Sequence, residues 1–294
     1  MKFGQVSNPE AIDFKLPKTD SATLALLQKQ CAAEPMEVFV GCAKWNKTDL
    51  KGFYPRGTKD ELSYYARQFN SIELNATFYS APAKSQVETW RDKTPADFKF
   101  FPKVPQSISH YSRLLNSQQK MLEFVDATVM FEEKLGMAFL QMHDNYKPKD
   151  FDRLADFLRS VPKGYPLAVE VRNSEWFDNE DIKAKFYQLL EETNTCNVLV
   201  DTAGRRDLLH MRLTSDAAFI RYVGANHASD YDRLMEWVQV IKEWKAAGLR
   251  KLYFFIHQNL EVESPLLAAH FITQLNQELG LSLTIPNKGT PTLF

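Results

Sequence analysis

Residues 71–77 read Ser-Ile-Glu-Leu-Asn-Ala-Thr, a short β-rich run in which polar and apolar side chains alternate. Successive side chains of a β-strand point to opposite faces, so one parity of this run faces a covering layer and the other faces an enclosed interior. Ile72 and Leu74 form the apolar parity. The alternation therefore predicts that Glu73 and Asn75 point inward.

A second run repeats this pattern with stronger charge. Residues 167–172 read Leu-Ala-Val-Glu-Val-Arg, and the three larger apolar residues share one parity. The other parity turns Glu170 and Arg172 toward the interior. Burying unpaired charges is costly in free energy, so two strands that direct charge inward predict a pocket filled by solvent or ligand.

Eight β-rich runs recur about 30 residues apart along the chain, and helical patterns separate them. Strands joined through helices run parallel, and eight such units predict an α/β fold, a (β/α)8 barrel of the TIM type. An eight-stranded open sheet is the structural alternative. The predicted strands cover residues 38–44, 71–77, 98–104, 137–142, 167–172, 197–202, 219–223 and 251–257.

The repeat leaves two terminal segments outside the barrel. Residues 1–36 are predicted to be an N-terminal extension packed on the barrel, 37–280 a single barrel domain, and 281–294 a C-terminal tail. Gly248 and Gly280 follow helical runs at the position where a glycine commonly ends a helix. Both residues are therefore predicted to close helices of the outer layer.

Composition excludes several classes of protein. The 294 residues carry 36 basic and 37 acidic side chains, and a formal charge of -1 provides no global positive field for non-specific nucleic-acid binding. Three cysteines without CxxC spacing indicate neither a disulfide framework nor a cysteine zinc site, which favours a reducing cytoplasm. The apolar run at 22–27 is too short for a membrane span, so no membrane partner is expected. The oligomeric state is not indicated.

Polar groups also end the other predicted strands, and barrel enzymes build their sites at that C-terminal mouth. In residues 197–202 the alternation turns Asn197, Leu199 and Asp201 inward. The predicted catalytic residues are Glu73, Lys103, Glu170 and Asp201. The predicted substrate-binding residues are Lys44, Trp45, Tyr54, Asn75, His110, Gln141, Arg172, Trp176, Arg221 and His257.

This set of residues favours acid–base or hydrolytic chemistry on a small anionic substrate. Four cations surround three carboxylates, so the expected ligand carries a phosphate or a carboxylate. Glu73 or Glu170 would act as a general base if burial in the barrel raises its pKa. Lys103 or Arg221 would then hold the developing negative charge.

No cofactor is predicted, because the glycines form neither GxGxxG nor GxxxxGK[ST]. A divalent metal is the weaker alternative, with Glu170, Asp201 and His257 as ligands and Glu73 as a further donor. Two other functions stay open. One is a metal-dependent, endonuclease-like or nucleic-acid-binding barrel, by analogy of fold, and the other is a non-catalytic ligand-binding protein.

The same residues carry a resemblance to a known family over about residues 38–260. The sequence resembles the domain of unknown function 72, the YecE-like proteins, and the Glu-Leu-Asn-Ala-Thr-Phe-Tyr block at 73–79 is its most specific part. The other matching stretches are Val40-Gly41-Cys42-Ala43-Lys44-Trp45, Gly52-Phe53-Tyr54-Pro55, Glu170-Val171-Arg172 with Trp176, and Phe219-Ile220-Arg221.

The resemblance implies a TIM-type barrel with a polar mouth, in a family with no established biochemical activity. The residues that match its pattern in the predicted mouth are Glu73, Asn75, Lys103, Glu170, Arg172 and Arg221. The chain departs from the pattern at 41–45, where relatives tend to have Gly-Thr-Ser-Gly-Trp, and at 257–259, which read His-Gln-Asn.

Overall fold

The computed structural model describes residues 4–29 and 35–287 of the chain. Its strands are β1 (Glu37–Cys42), β2 (Ser71–Leu74), β3 (Lys99–Pro102), β4 (Ala138–Gln141), β5 (Leu167–Glu170), β6 (Cys196–Thr202), β7 (Ala217–Gly224) and β8 (Lys251–Gln258). All neighbouring pairs are parallel, in the order β3-β2-β1-β8-β7-β6-β5-β4.

The two outer strands of that order meet at their C-terminal ends. A parallel bridge joins Lys103 to Phe139, and the Val104 amide donates to the Phe139 carbonyl at 2.9 Å. The sheet therefore curls into a nearly closed barrel. The (β/α)8 prediction is confirmed, and each observed strand begins within two residues of its predicted start.

Helices cover the outside of the barrel. They are α1 (Ser21–Leu27), α2 (Glu61–Tyr65), α3 (Ala76–Tyr79), α4 (Lys84–Asp92), α5 (Gln118–Thr128), α6 (Phe151–Ser160), α7 (Glu180–Glu192), α8 (Ser229–Ala247) and α9 (Ser264–Leu279). Gly248 and Gly280 adopt left-handed φ values of 116° and 65° directly after α8 and α9. Both glycines thus end helices as the sequence predicts.

Aromatic rings fill the barrel interior. Phe101, Phe139, Phe219 and Phe255 are fully buried there, and the centroids of their neighbouring rings lie 4.8–5.8 Å apart. In each strand the next inward position is two residues later, where β3, β4, β7 and β8 carry Lys103, Gln141, Arg221 and His257. The polar end of the barrel therefore rests on an apolar floor that excludes water from below.

Strand β6 reverses the predicted alternation. Val198 and Val200 belong to the interior cluster, whereas Leu199 packs in the outer layer. Asp201 shares the parity of Leu199, so the prediction that it points into the barrel is wrong. Valine fits either face of a strand. The outward polar side chains of β6, Asn197 and Asp201, form hydrogen bonds with residues outside the strand, which the alternation within the strand does not reveal.

The connection from β6 to β7 contains a 3-10 helix, Ala203–Leu208, and no α-helix among the described residues. Residues 4–29 lie along this side of the barrel instead. Near the mouth, the Gly204 amide donates to the Gly4 carbonyl at 2.8 Å. Near the opposite end, the Leu213 amide donates to Thr23 Oγ1 at 2.9 Å, which fastens the beginning of α1.

Candidate functional site

Arg221, on the inward face of β7, is the centre of the barrel mouth. Its Nε and Nη2 donate to the two carboxylate oxygens of Glu73 at 2.8 and 2.9 Å. Its Nη1 donates to Glu170 Oε2 at 2.6 Å. All three side chains are at most 6% exposed, so this guanidinium holds two buried carboxylates from strands β2 and β5.

A second arginine completes the arrangement around Glu170. Arg172 Nε donates to Glu170 Oε1, and Arg172 Nη2 donates to Gln141 Oε1 at 2.7 Å. We call the group of Glu73, Gln141, Glu170, Arg172, Arg221 and His257 the lumen network. Its two arginine charges balance its two glutamate charges.

The arginines decide the ionisation of the two carboxylates. Burial alone would raise the pKa of each one, but the Arg221 and His257 charges outweigh it and hold the pKa of Glu73 well below its usual value. Burial is likewise outweighed at Glu170, where Arg172 and Arg221 lower the pKa to about 2. The condition set for a glutamate general base, a raised pKa, is therefore not met at either residue.

His257 joins the network from β8. Its Nε2 lies 2.9 Å from Glu73 Oε2, and its Nδ1 lies 3.6 Å from Glu261 Oε1. Burial opposes the charged imidazole, but the carboxylate of Glu73 outweighs it and raises the pKa of His257. Asn75, directly after β2, donates from Nδ2 to Glu73 Oε1 at 2.8 Å. Both polar side chains that the sequence predicts to point inward here therefore have hydrogen-bond partners.

Lys103 enters the same space from the end of β3. Its side chain is 7% exposed, and no hydrogen-bond acceptor or ion-pair partner contacts its Nζ among the described residues. Nζ instead lies 4.1 Å from the centroid of the Phe78 ring. Burial, followed by the positive charge of Arg221, lowers the pKa of Lys103 to about 7. Lys103 can therefore change its charge near neutral pH.

A wall of rings lies beside Lys103. The His110 ring contacts Phe78 and His143, with centroids 5.0 and 5.2 Å away. His110 belongs to a short π-helical turn, Ser107–Tyr111, and its Nδ1 lies 2.8 Å from Ser109 Oγ. Burial, with the neighbouring His143 and Lys103 charges, lowers the pKa of His110 to about 4, so this ring is neutral at pH 7.

The comparisons with known proteins agree with this fold. The family model described as protein of unknown function DUF72 matches residues 39–290. The chain belongs to this family. The resemblance read from the sequence is thereby confirmed, and neither the family description nor the names of the relatives below state an activity.

The curated relatives of this DUF72 chain include the UPF0759 protein YecE of Escherichia coli K12. It is 25% identical over 278 residues, which cover 86% of this chain and 99% of YecE. The UPF0759 protein YunF of Bacillus subtilis 168 is 25% identical over 149 residues, which cover 48% of this chain and 52% of YunF.

Solved DUF72 structures share the barrel. A family protein from Enterococcus faecalis V583 superposes with a TM-score of 0.66 at 17% identity, covering 84% of this chain and 99% of that protein. A family protein from Thermotoga maritima MSB8 has a TM-score of 0.62 at 26% identity, covering 83% and 100%. These likenesses support the fold.

Three predicted binding residues of the DUF72 chain form a separate group after β1. Lys44 pairs with Asp49 at 3.4 Å, and its side chain is 40% exposed. The ring of Trp45 packs on Trp90 at 6.1 Å, and the Tyr54 hydroxyl donates to the Trp45 carbonyl. These three side chains hold the loop after β1 against α2 and α4. These contacts do not join them to the lumen network.

Trp176 and Asp201 lie in the outer layer. Trp176 is fully buried in the outer apolar layer, with its Nε1 donating to the Tyr146 carbonyl at 2.8 Å. It has no surface left for a ligand, so its prediction as a binding residue is wrong. Asp201 is fully buried against α8, where Arg233 Nη2 and Trp237 Nε1 donate to it at 2.8 and 2.7 Å.

This position of Asp201 corrects two further expectations. It removes Asp201 from the predicted catalytic set, because the carboxylate is fully buried and held by groups of the outer layer. It also shows that Glu170, Asp201 and His257 do not form the predicted metal site, because Asp201 lies outside the barrel interior. The described residues contain no group of three or more His, Cys, Asp or Glu side chains arranged to hold a metal ion.

Sequence reasoning missed two partners of the predicted residues. Glu261 follows His257 by four residues, and the 3-10 turn after β8 brings its carboxylate to the imidazole. Arg206 follows Asp201 by five residues and pairs with it. Short spacing after a strand end is the signal that would have found both. Within the described part of the chain, no helix is long and apolar enough to cross a membrane.

Proposed function

We propose that this chain is an enzyme that performs acid–base chemistry on a small anionic substrate at the C-terminal mouth of the barrel. Lys103 accepts and returns the proton. The observation that carries the proposal is the state of this lysine: it is buried at the mouth, no acceptor contacts its Nζ in the described structure, and its pKa is lowered to about 7. A general base works best when its pKa lies near the working pH.

The lumen network supports this role by staying charged and fixed. Each carboxylate oxygen of Glu73 and Glu170 accepts a hydrogen bond from an arginine. Preorganised charges on an apolar floor stabilise a developing charge without having to reorient. The glutamates therefore act by positioning Arg221 and Arg172, and proton transfer falls to Lys103.

The preference for an anion follows from the charge balance. Two arginines offset two glutamates, and His257 lies between Glu73 and Glu261, so protonated Lys103 is the surplus positive charge among the buried side chains. The further carboxylate of Asp144, 3.9 Å from Arg172, is 57% exposed. A carboxylate or phosphate oxygen supplies the acceptor that its ammonium lacks. Binding of an anion raises the pKa of Lys103, which couples substrate binding to proton uptake.

A thermal-shift panel tests the site. Inorganic phosphate, phosphoglycolate and malonate are added at pH 6.5 to the wild type, to Lys103→Met, and to Lys99→Met as a control that removes a charge from the opposite end of the same strand. We expect at least one compound to raise Tm in the wild type and in Lys99→Met, and the rise to disappear in Lys103→Met. Equal shifts in all three proteins would refute the proposed site.

Proton transfer itself is followed in D2O. For each panel compound that has a C–H bond beside its carboxylate, proton NMR measures the exchange of that hydrogen for deuterium. Exchange is expected to become faster as pH rises above about 7, because Lys103 then loses its proton and a bound anion moves that loss to higher pH. Stabilisation by every effective compound without exchange in any of them would indicate a binding protein instead of an enzyme.

A further inference from the structure

The backbone at Lys103 is held on both sides. Thr77 Oγ1 donates to the Lys103 carbonyl at 2.7 Å, and the Lys103 amide donates to the Leu74 carbonyl at 3.2 Å. On the other side, the parallel bridge to Phe139 ties the same residue to β4. The base of this side chain is therefore fixed where β2, β3 and β4 meet at the mouth.

The amine at the end of the side chain lies between two rings. Nζ is 4.1 Å from the centroid of Phe78 and 5.8 Å from that of Phe139. Rings solvate an ammonium less well than water does, and the positive charge of Arg221 disfavours the ammonium further. A lysine amine that is desolvated beside another cation is the form that attacks carbonyl carbons.

We infer that Lys103 is a covalent catalyst whose amine forms an imine with the aldehyde or ketone group of the substrate. This inference rests on the proposed function, because it uses the same neutral amine, which bonds to the carbonyl carbon of these substrates instead of accepting a proton. It narrows the substrate class to small carbonyl compounds that carry a carboxylate or a phosphate. Arg172, whose side chain is 13% exposed, is the more exposed of the two arginines in the lumen network and the one that would face that anionic group.

The step balances with water as its only by-product. The nitrogen lone pair of the neutral amine attacks the carbonyl carbon, and one nitrogen-bound proton moves to the carbonyl oxygen to give the carbinolamine. That hydroxyl takes a second proton from solvent and leaves as water, while the nitrogen lone pair forms the C=N bond of a protonated imine. The lumen network remains charged throughout, and no oxidant or reductant takes part.

Reductive trapping tests the covalent step. The wild type is incubated with pyruvate or with dihydroxyacetone phosphate, borohydride is added, and the intact mass and the peptide containing residue 103 are measured. A single adduct is expected, with the mass of the probe less one oxygen atom, located on Lys103. The adduct is expected to remain in Lys99→Met and to be absent in Lys103→Arg, which keeps the charge but lacks the nucleophilic amine.

The outcomes separate this inference from the proposed function. Thermal stabilisation by malonate or phosphoglycolate without any adduct at residue 103 would overturn the imine and leave the acid–base site standing. Adducts spread over surface lysines, in equal amounts in Lys103→Arg and the wild type, would also overturn it. If Lys103→Arg does not fold, the peptide map of the wild type decides alone, because the adduct is either on Lys103 or elsewhere.

Discussion

Two buried charge networks lie at the C-terminal ends of the strands, one inside the barrel and one beneath α8. The outer one, which we call the α8 network, contains Asp201, Arg206, Asp230, Arg233 and Trp237. Its two aspartates balance its two arginines, as the two glutamates and two arginines of the lumen network balance each other. The networks are similar in charge, and they differ in that one of them has a further cation, Lys103, beside it.

The α8 network is closed by the chain itself. The Phe14 ring of the N-terminal extension lies over the Arg233 guanidinium at 4.3 Å, and Arg206 Nη2 donates to the Phe14 carbonyl at 3.0 Å. The lumen network is buried as well, with Glu73, Glu170 and Arg221 at most 6% exposed, but Lys103 lies beside it without an acceptor in the described structure. A network in which every charge is paired serves stability, whereas a charged group without an acceptor beside such a network indicates a place for a ligand.

Arg221→Met is expected to have the largest effect, because it leaves Glu73 and Glu170 buried with much of their compensation removed. Breaking a buried ion pair from one side costs about 3–5 kcal/mol. Urea denaturation at pH 7 measures the loss. With Arg221 gone the carboxyl pKa values rise, so the deficit relative to the wild type should be smaller at pH 5. A deficit that does not change between pH 5 and pH 7 would contradict this account.

Asp201→Asn tests the α8 network in the same way. It keeps the shape of the side chain but removes the charge that faces Arg233 and Arg206, at an expected cost of about 3 kcal/mol. The Tm increment caused by the effective panel anions should stay as in the wild type. Normal stability combined with a lost anion response would assign Asp201 to the site after all.

Lys103→Met is expected to act in the opposite direction. The native pKa of Lys103 is about 7, while an unfolded lysine titrates near ~10.4, so the unfolded chain holds the extra proton between these values. Stability of the wild type therefore rises with pH across this window. Even one pKa unit of difference corresponds to about 1.4 kcal/mol, so the variant should be the more stable protein at pH 6.

The advantage of Lys103→Met should shrink steadily toward pH 10. Urea denaturation at several pH values measures it, with Lys99→Met as the control for removing a lysine from β3. An advantage that grows with pH would show that the ammonium of Lys103 is stabilised in the native state.

Phe14→Leu is expected to have the smallest effect. It preserves apolar contact but removes the aromatic face over Arg233, which is worth about 0.5–1 kcal/mol. If Phe14 and Asp201 act as one unit, Phe14→Leu should lower the free energy of unfolding when Asp201 is present and should have no such effect in the Asp201→Asn variant. Fully additive losses would separate Phe14 from the α8 network.

Most of the fold could be predicted from the sequence because helix-covered strands leave a one-sided apolar pattern. The alternation at Glu73 and Glu170 was right for that reason. It failed at Asp201 because Val198 and Val200 fit the interior as well as the outer layer. The partners of Asp201 come from α8 and from the 3-10 helix that follows β6.

The sequence predicts which residues meet at the mouth, but it does not predict their charge states. Glu73, Glu170, Arg221 and Lys103 do meet, since each has an inward position in the C-terminal half of its strand or directly after it. The direction of their pKa shifts depends on pairs that are distant in sequence, such as Arg221 with Glu73, 148 residues apart. No local pattern reveals which cation is paired and which remains without an acceptor.

The N-terminal extension also bears on how the chain folds during synthesis. Residues 4–29 are made before the barrel, but Trp244 Nε1 donates to Thr19 Oγ1 across 225 residues, and the Met211 carbonyl accepts from Thr23 Oγ1 across 188. The ribosome must therefore release most of the barrel before residues 4–29 have a surface to bind. Until then, the flank of β6 and β7 lacks its cover, and this is the interval in which a chaperone would find exposed apolar surface.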